Sequence, residues 1–434
     1  MFFATSLQFI FYGFAILAIN YKIMSKQKII FSQITSFIPW YQFDKIVDEF
    51  GGDYRFKNFK SRDHLLVMIF AQLTFRESLR AIESSLNSQR AKLYHMGIRS
   101  NKIARNTISN ADETRDYRIY EQLANALTAR AKVLYRDEKV LDDLEFDQSI
   151  YALDSSVINI CLSLSPWAKY MEKRGVGAIK LHAMIDLKGN LPSFNVITDG
   201  KVYDGAILDI LPFEAGSIYV MDRGYLDYKR LYNIEQNRAF FITRTTSNIK
   251  LKRVSSNKNI RNKIVKNADA NIADTNVYEV IICDQIVSFI TKDATKSYPQ
   301  KLRKIKYKFK DKTNKKFKYL TFITNNLTLE AITIARLYKK RWQIELFLKW
   351  IKQHLKIKTF YSNCENEVKI QIWTAICTYL LVAIMKKELK IKHSLYTILQ
   401  ILSVNIFERM PINQLFGDFD CKNIDEDDCQ PLLL

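Results

Sequence analysis

Ser149-Ile150-Tyr151-Ala152-Leu153-Asp154-Ser155-Ser156 is where the chain changes character. Before it, from residue 30 to about 145, apolar residues recur at helical spacing. Leu65, Leu66, Met68, Ile69 and Leu73 form one stripe, and Ile119, Leu123, Ala126 and Leu127 another. From Ser149 onward the apolar runs are short and end in turn signals, which is strand patterning. Ile150–Leu153 leads straight into Asp154. Ile179–Leu187 and Leu191–Thr198 flank Lys188-Gly189-Asn190, a hairpin signature. Asp204–Leu211 reads as a short helix with Asp204 as its N-cap. Ser217–Met221 is an apolar strand that runs into Asp222, and Arg223-Gly224-Tyr225 turns away from it. A helix over Leu226–Asn237 and a strand over Ala239–Thr243 follow. Strand, hairpin, helix, strand, helix, strand is a mixed α/β sheet.

The next hundred residues or so interrupt that sheet with a β-rich, strongly basic insertion, about 245–328. Ile249–Asn267 carries seven basic residues and no acid. Val277–Cys283 and Ile286–Ile290 flank Asp284-Gln285 as a second hairpin. Lys304, Lys306, Lys308 and Lys310 alternate with Ile305, Tyr307 and Phe309, so a strand presents one cationic and one apolar face. Residues 301–318 hold ten basic groups and one acid. A lysine-protected edge strand accounts for one such segment; concentrating charge in two suits contact with a phosphate backbone.

Helical periodicity returns after Leu329. Tyr338, Arg341, Glu345 and Lys352 form a Y-x2-R-x3-E-x6-K pattern in what reads as one helix. At about 100° per residue the four side chains fall within roughly 60° of arc. Leu337, Ile344, Phe347, Leu348, Ile351 and Leu355 form a separate apolar arc. An acid among cations and a phenol suits a site that handles a metal ion and phosphates. The plainer reading is that Arg341 and Glu345 are an i,i+4 pair on a solvated face.

Composition bounds the rest. A chain of 434 residues, 48% hydrophobic, is globular and large enough for several domains. Its 66 Lys and Arg against 45 Asp and Glu give +21, which favours a polyanionic partner. None of the six cysteines forms a C-x2-C pair, which argues against a zinc site or a disulfide framework and fits a reducing cytoplasm. No Gly-rich phosphate loop is present, which argues against a nucleotide site. Phe9–Ile19 is an apolar run of eleven residues, short of a bilayer span, and residues 1–23 read as an extension without a role; a membrane anchor is the alternative. Ile370–Leu389 reads as a core helix rather than a membrane helix. The basic segment from Arg99 through Arg118 suits either phosphate contact or a solvated helical face.

Asp154 and Asp222 both follow strands, and Glu345 follows the insertion. Carboxylates on adjacent central strands can share two divalent ions for in-line phosphoryl displacement. Among rival acids, Asp186 beside the hairpin turn reads as surface polar, and His182 as a satisfied polar core residue.

Asp154-Ser155-Ser156, the Asp222-Arg223-Gly224-Tyr225 block and the Tyr338/Arg341/Glu345/Lys352 signature together resemble bacterial insertion-sequence transposases of the IS-four type. The resemblance covers nearly all the chain after Met24. It implies a helical N-terminal DNA-binding domain (24–145), a ribonuclease-H-like catalytic domain (146–360) and a C-terminal helical region (361–434). It implies catalysis and metal binding by Asp154, Asp222 and Glu345, with Mg²⁺ or Mn²⁺, two ions in all. It implies cut-and-paste movement: hydrolysis at the element's end, a hairpin formed by the freed 3′-hydroxyl, and joining to target DNA. Tyr338, Arg341 and Lys352 would grip terminal phosphates and an extruded base. Arg223 and the insertion lysines would contact DNA. The implied partners are transposon ends, target DNA and a second copy of the chain, in the bacterial cytoplasm at the nucleoid.

Overall fold

The computed structural model describes residues 28–141, 144–161, 167–171, 176–245, 249–257, 264–265, 279–310, 316–354 and 364–417. The apolar segment 1–23, residues 311–315, Leu355 and residues 418–434 lie outside them. The chain divides into two compact units, residues 136–350 and residues 1–135 with 351–434.

The second of these units is helical. Its helices are α1 (Ile30–Thr35), α2 (Trp40–Glu49), α3 (Ser61–Leu73), α4 (Leu79–Ser88), α5 (Arg90–Leu93), α6 (Arg105–Thr114) and α7 (Arg118–Leu134). Residues 136–350 contribute α8 (Tyr228–Gln236), α9 (Lys292–Ser297), α10 (Ala331–Lys340) and most of α11 (Trp342–His354), and α12 (Glu365–Glu388), α13 (Leu395–Asn405) and α14 (Ile412–Leu415) follow in the helical unit. In the helical unit α12 packs on α7 and α3. It is long and apolar enough to cross a bilayer, but 94% of its apolar window is buried inside the protein. The α3 residues Ser61 and Asp63–Leu73 are buried, so that helix is enclosed on all sides rather than striped. Its polar His64 is satisfied inside: Asp112 lies 2.8 Å from Nε2 and the Tyr120 hydroxyl 2.6 Å from Nδ1.

The other unit is built on a sheet with eleven strands among the described residues: β1 (Ile150–Cys161), β2 (Lys169–Met171), β3 (Val176–Asp186), β4 (Leu191–Asp199), β5 (Ile218–Met221), β6 (Phe240–Arg244), β7 (Leu251–Ser256), β8 (Ile264–Val265), β9 (Glu279–Phe289), β10 (Leu302–Lys310) and β11 (Phe317–Thr324). Nine stand in the order β2-β3-β1-β5-β6-β11-β10-β9-β7, with β4 on β3 and β8 on β9. β1, β5 and β6 are parallel, β3 runs antiparallel beside β1, and β4 runs antiparallel to β3. The apolar runs Ile150–Leu153 and Ile218–Met221 are buried throughout, as strands covered on both faces must be. The hairpin between β3 and β4 closes as the sequence predicts, with Gly189 at φ 82° and Asn190 at φ 54°.

Several expectations change. β1 does not end at Asp154; it runs on to Cys161 because β3 keeps pairing with it. The insertion extends the sheet rather than interrupting it, since β11 pairs directly with β6. Asp284-Gln285 is no turn. Residues 279–289 form one strand, and Asp284 is buried in it with Arg303, Oδ1 to Nε 2.8 Å and Oδ2 to Nη2 2.9 Å. An aspartate that is favoured at turns because it usually seeks water finds a cation inside instead. Asp186 is buried too, its carboxylate accepting the Lys188 N–H of the hairpin turn at 2.9 Å. The expected single helix through residue 352 is two, α10 and α11, broken at Arg341.

Candidate active site

Asp154 and Asp222 are brought side by side by strand register. Leu153 of β1 pairs with Met221 of β5, in parallel. The next residue on each chain is the acid, on strands about 4.8 Å apart. Each carboxylate is held by the N–H that follows it: Ser155 N–H to Asp154 Oδ1 at 2.8 Å, and Arg223 N–H to Asp222 Oδ1 at 2.7 Å. The second contact caps the 3₁₀ turn Arg223–Tyr225. Both acids come just after the last parallel β1–β5 pair, Asp222 at the carboxyl end of β5 and Asp154 where β1 continues paired with β3 alone.

The α10–α11 junction delivers the other members. At the break the hydrogen bonds tighten to i→i+3, Arg341 N–H to Tyr338 O and Ile344 N–H to Arg341 O, both 3.1 Å. Tyr338 is buried with its ring on Phe322 of β11, centroids 4.6 Å apart, and its hydroxyl points at Asp222 Oδ1, 3.5 Å away. Arg341 reaches between two acids, donating from Nη1 to Asp154 Oδ2 at 3.1 Å and from Nη2 to Glu345. Its Nε is buried without a partner, a donor left for an incoming oxygen. Asp154, Asp222, Glu345, Tyr338 and Arg341 therefore converge. Lys352 follows on α11, half-buried.

Electrostatics agree with this geometry. Burial pushes the Asp154 pKa up to about 6; Arg341 and the Ser155 N–H pull it down, while Glu345 and Asp222 push it further up. The last two influences mean that Asp154 feels both of the other carboxylates. Burial also raises Tyr338 to about 12, so its phenol stays a neutral donor. Burial works against the Arg341 charge, but Glu345, Tyr338 and Asp154 more than offset it and keep the guanidinium charged.

Three carboxylates are the hard oxygen donors that Mg²⁺ or Mn²⁺ requires. Among the described residues no three His, Cys, Asp or Glu side chains stand close enough to share one ion. The Arg341 guanidinium instead supplies positive charge between Asp154 and Glu345. The donor set fits a divalent ion once that guanidinium yields.

Other candidates lie elsewhere. The Arg223 side chain is exposed beside Asp222. Lys304, Lys306, Lys308 and Lys310 are on β10, three strands from β5 and so well outside the triad. Their alternation is as expected, with Ile305 and Tyr307 buried on the opposite face. Phe317 and Tyr319 of β11 are exposed on the lysine side, and Lys308 Nζ lies 4.0 Å from the Phe317 ring centre.

Sequence reasoning missed Asp204. It is not an N-cap; Tyr203 holds that position, and no side-chain capping bond is made. Asp204 Oδ1 instead accepts Ser155 Oγ at 2.7 Å and Lys180 Nζ at 2.9 Å. Burial raises its pKa, but those two hydrogen bonds outweigh burial and leave it below the ordinary value. His182, opposite Ser155 in the β1–β3 register, is satisfied on one side only: Nε2 meets Thr198 Oγ1 at 3.0 Å, and Nδ1 is buried without a partner. Burial lowers its pKa to about 4.

Comparison with known proteins bears on this arrangement. Residues 26–99 match a domain of unknown function, DUF4372. The chain is 33% identical over 249 residues to y4zB of Sinorhizobium fredii, which is named a transposase, covering 57% of this chain and 64% of that one. It is 25% identical over 335 residues to a protein of Synechocystis named for insertion sequence element IS4SA, covering 76% and 85%. It is 26% identical over 238 residues to a protein of Geobacillus stearothermophilus named for element IS5377, covering 55% and 57%. The chain thus spans less than two thirds of the first and third of these relatives. Residues 145–381, more than half of the chain and the part that contains every converging residue, match the transposase DDE domain, and the chain belongs to that family.

Proposed function

We propose that the protein is the DNA transposase of an insertion sequence of the IS-four type, acting at its element's ends from a ribonuclease-H-like core. The strand order supports that core: three antiparallel strands, β4, β3 and β1, followed by parallel β5 and β6. One observation carries the assignment. Asp154 and Asp222 each follow the last paired position, Leu153 opposite Met221, of adjacent parallel strands, and Arg341 joins Asp154 to Glu345.

In this reading Asp154, Asp222 and Glu345 hold divalent ions, Mg²⁺ or Mn²⁺, two in number. Such ions activate the attacking oxygen and stabilise the leaving one in phosphoryl transfer. Arg341, with its unspent Nε–H, leaves the carboxylates for a phosphate oxygen of the DNA. Tyr338 holds Asp222 in place and donates to the same region. Lys352 and Arg223 add phosphate contacts. The lysines of β10 and the helical N-terminal unit bind the duplex outside the chemistry, and two copies pair two ends.

The test is cleavage of a duplex that carries the element's end, with Mg²⁺ or Mn²⁺. Asp154→Asn, Asp222→Asn and Glu345→Gln are each expected to abolish cutting while DNA affinity stays within about threefold, because the surface cations supply affinity. A variant that cuts at the wild-type rate removes that acid from the mechanism. If the wild-type protein cuts but never joins ends to target DNA, the reading becomes a nuclease on the same core. DNA binding without cutting would make it a transposase-derived regulator.

A further inference from the structure

We propose that Val202-Tyr203-Asp204 is a brace that positions both strand-borne acids, Asp204 acting through Ser155 on Asp154 and Tyr203 acting through Gly224 on the turn that holds Asp222. It rests on the reading of Asp154 and Asp222 as the acids at the reacting centre.

Ser155 is the hinge on one side. Its N–H holds the Asp154 carboxylate and its hydroxyl donates to Asp204, so one residue ties the two acids together. On the other side, the Asp222 carboxylate is held by the first N–H of the Arg223–Tyr225 turn. The Tyr203 hydroxyl donates to the Gly224 carbonyl in the middle of that turn at 2.5 Å. Thus two consecutive residues of one connection grip the strand residue that sets Asp154 and the turn that sets Asp222.

The brace is itself anchored. Lys180 Nζ donates both to the Val202 carbonyl, at 2.6 Å, and to Asp204 Oδ1. Its side chain is 11% exposed, so the pair is not a loose surface contact. Glycine is required at one place, where a Cβ on Gly205 would stand 2.5 Å from the Tyr203 ring. Tyr203 is 51% exposed, so apolar burial does not account for where its ring lies. Its hydroxyl bond to the catalytic turn does.

These residues act through others, so they are positioning residues. The rival role for Asp204 is a ligand to the metal, and the two roles differ in what Ser155 does. Residues that orient metal-binding groups typically contribute about 10–100-fold to metal affinity or rate.

The experiment measures three quantities on the full chain: the single-turnover cleavage rate of end duplex already bound, DNA affinity, and Mn²⁺ binding by calorimetry without DNA. Ser155→Ala and Asp204→Asn should each slow cleavage by about tenfold or more and weaken Mn²⁺ binding, with DNA affinity unchanged. Acting in series, they should be non-additive: the double variant matches the single ones. Ser155→Thr should restore both cleavage and Mn²⁺ affinity. Tyr203→Phe should slow cleavage independently of Ser155→Ala, and Gly205→Ala should copy Tyr203→Phe. Melting temperatures show that each variant is folded.

Wild-type cleavage and Mn²⁺ affinity in Ser155→Ala and Asp204→Asn would overturn the brace while leaving the active site intact. Losses confined to Asp204→Asn, with Ser155→Ala at wild type, would replace it with direct ligation. Cleavage by Asp222→Asn would overturn the site, and the brace with it.

Discussion

Asp154 is pulled two ways. Burial and two neighbouring carboxylates favour its protonated form, Arg341 and the Ser155 N–H its charged form, and burial wins, bringing its pKa to about 6. In the unfolded chain an aspartate titrates near 3.8. The folded protein therefore holds this proton more tightly, so the group's contribution to stability is greatest below about pH 4. It is lost as pH climbs to about 6. In metal-free protein the loss is on the order of 2–3 kcal/mol. Thermal melts of Asp154→Asn should lack it, so the variant gains on wild type across that window and the difference levels off above it. Adding Mg²⁺ at pH 7.5 should restore wild type alone. A difference that is flat with pH would mean that Asp154 is not desolvated among other acids. Arg341 is the second decisive residue. Arg341→Ala leaves Asp154 and Glu345 facing each other without a cation and should cost about 2–4 kcal/mol in metal-free protein. Mg²⁺ should then raise its melting temperature more than it raises that of wild type. End processing should fall far more than DNA affinity, since many other cations supply the affinity; equal losses in both would make Arg341 merely one more DNA contact.

At the scale of elements, β10 tests the DNA-facing role of the insertion. Its lysines stand on the face opposite Ile305 and Tyr307, so replacing them leaves the core alone. Changing Lys304, Lys306, Lys308 and Lys310 to Ala should reduce the slope of log affinity against log salt by about 3–4, near 0.9 for each phosphate no longer neutralised. Cleavage of saturating DNA should persist. An unchanged slope would return β10 to a lysine-protected surface strand. The α10–α11 break is the other informative element. Tyr338, Arg341, Glu345 and Lys352 contain no Gly or Pro signal, so periodicity alone extends one helix through them. The i→i+3 step at Arg341 re-aims the guanidinium toward a strand 187 residues earlier in the chain. Similarly, Asp284-Gln285 looks like a turn until Arg303 is placed beside it by the β9–β10 pairing.

At the scale of the whole molecule, charge and hydrophobicity are distributed for different purposes. The long apolar helix α12 is buried over 94% of its apolar window, so its composition serves a core. Much of the net +21 lies in the sequence of the insertion, about 245–328, and the lysines of its strand β10 stand away from the triad. That separation suits affinity supplied by many weak phosphate contacts and chemistry supplied by a few residues.

The sequence by itself determined the alternation of short apolar strands with helices, the Lys188-Gly189-Asn190 hairpin, the two-faced lysine strand and the spacing of Asp154, Asp222 and Glu345. Those are local properties: periodicity, turn chemistry and charge are written within a few residues of one another. Only the tertiary structure decided that β1 continues past Asp154, that the insertion joins the same sheet, that Arg341 bridges two acids and that Asp204 serves Ser155 rather than a helix end. Each of these depends on which partner a hydrogen-bonding group finds across long stretches of chain, and a buried polar group takes whichever partner the packing places within about 3 Å.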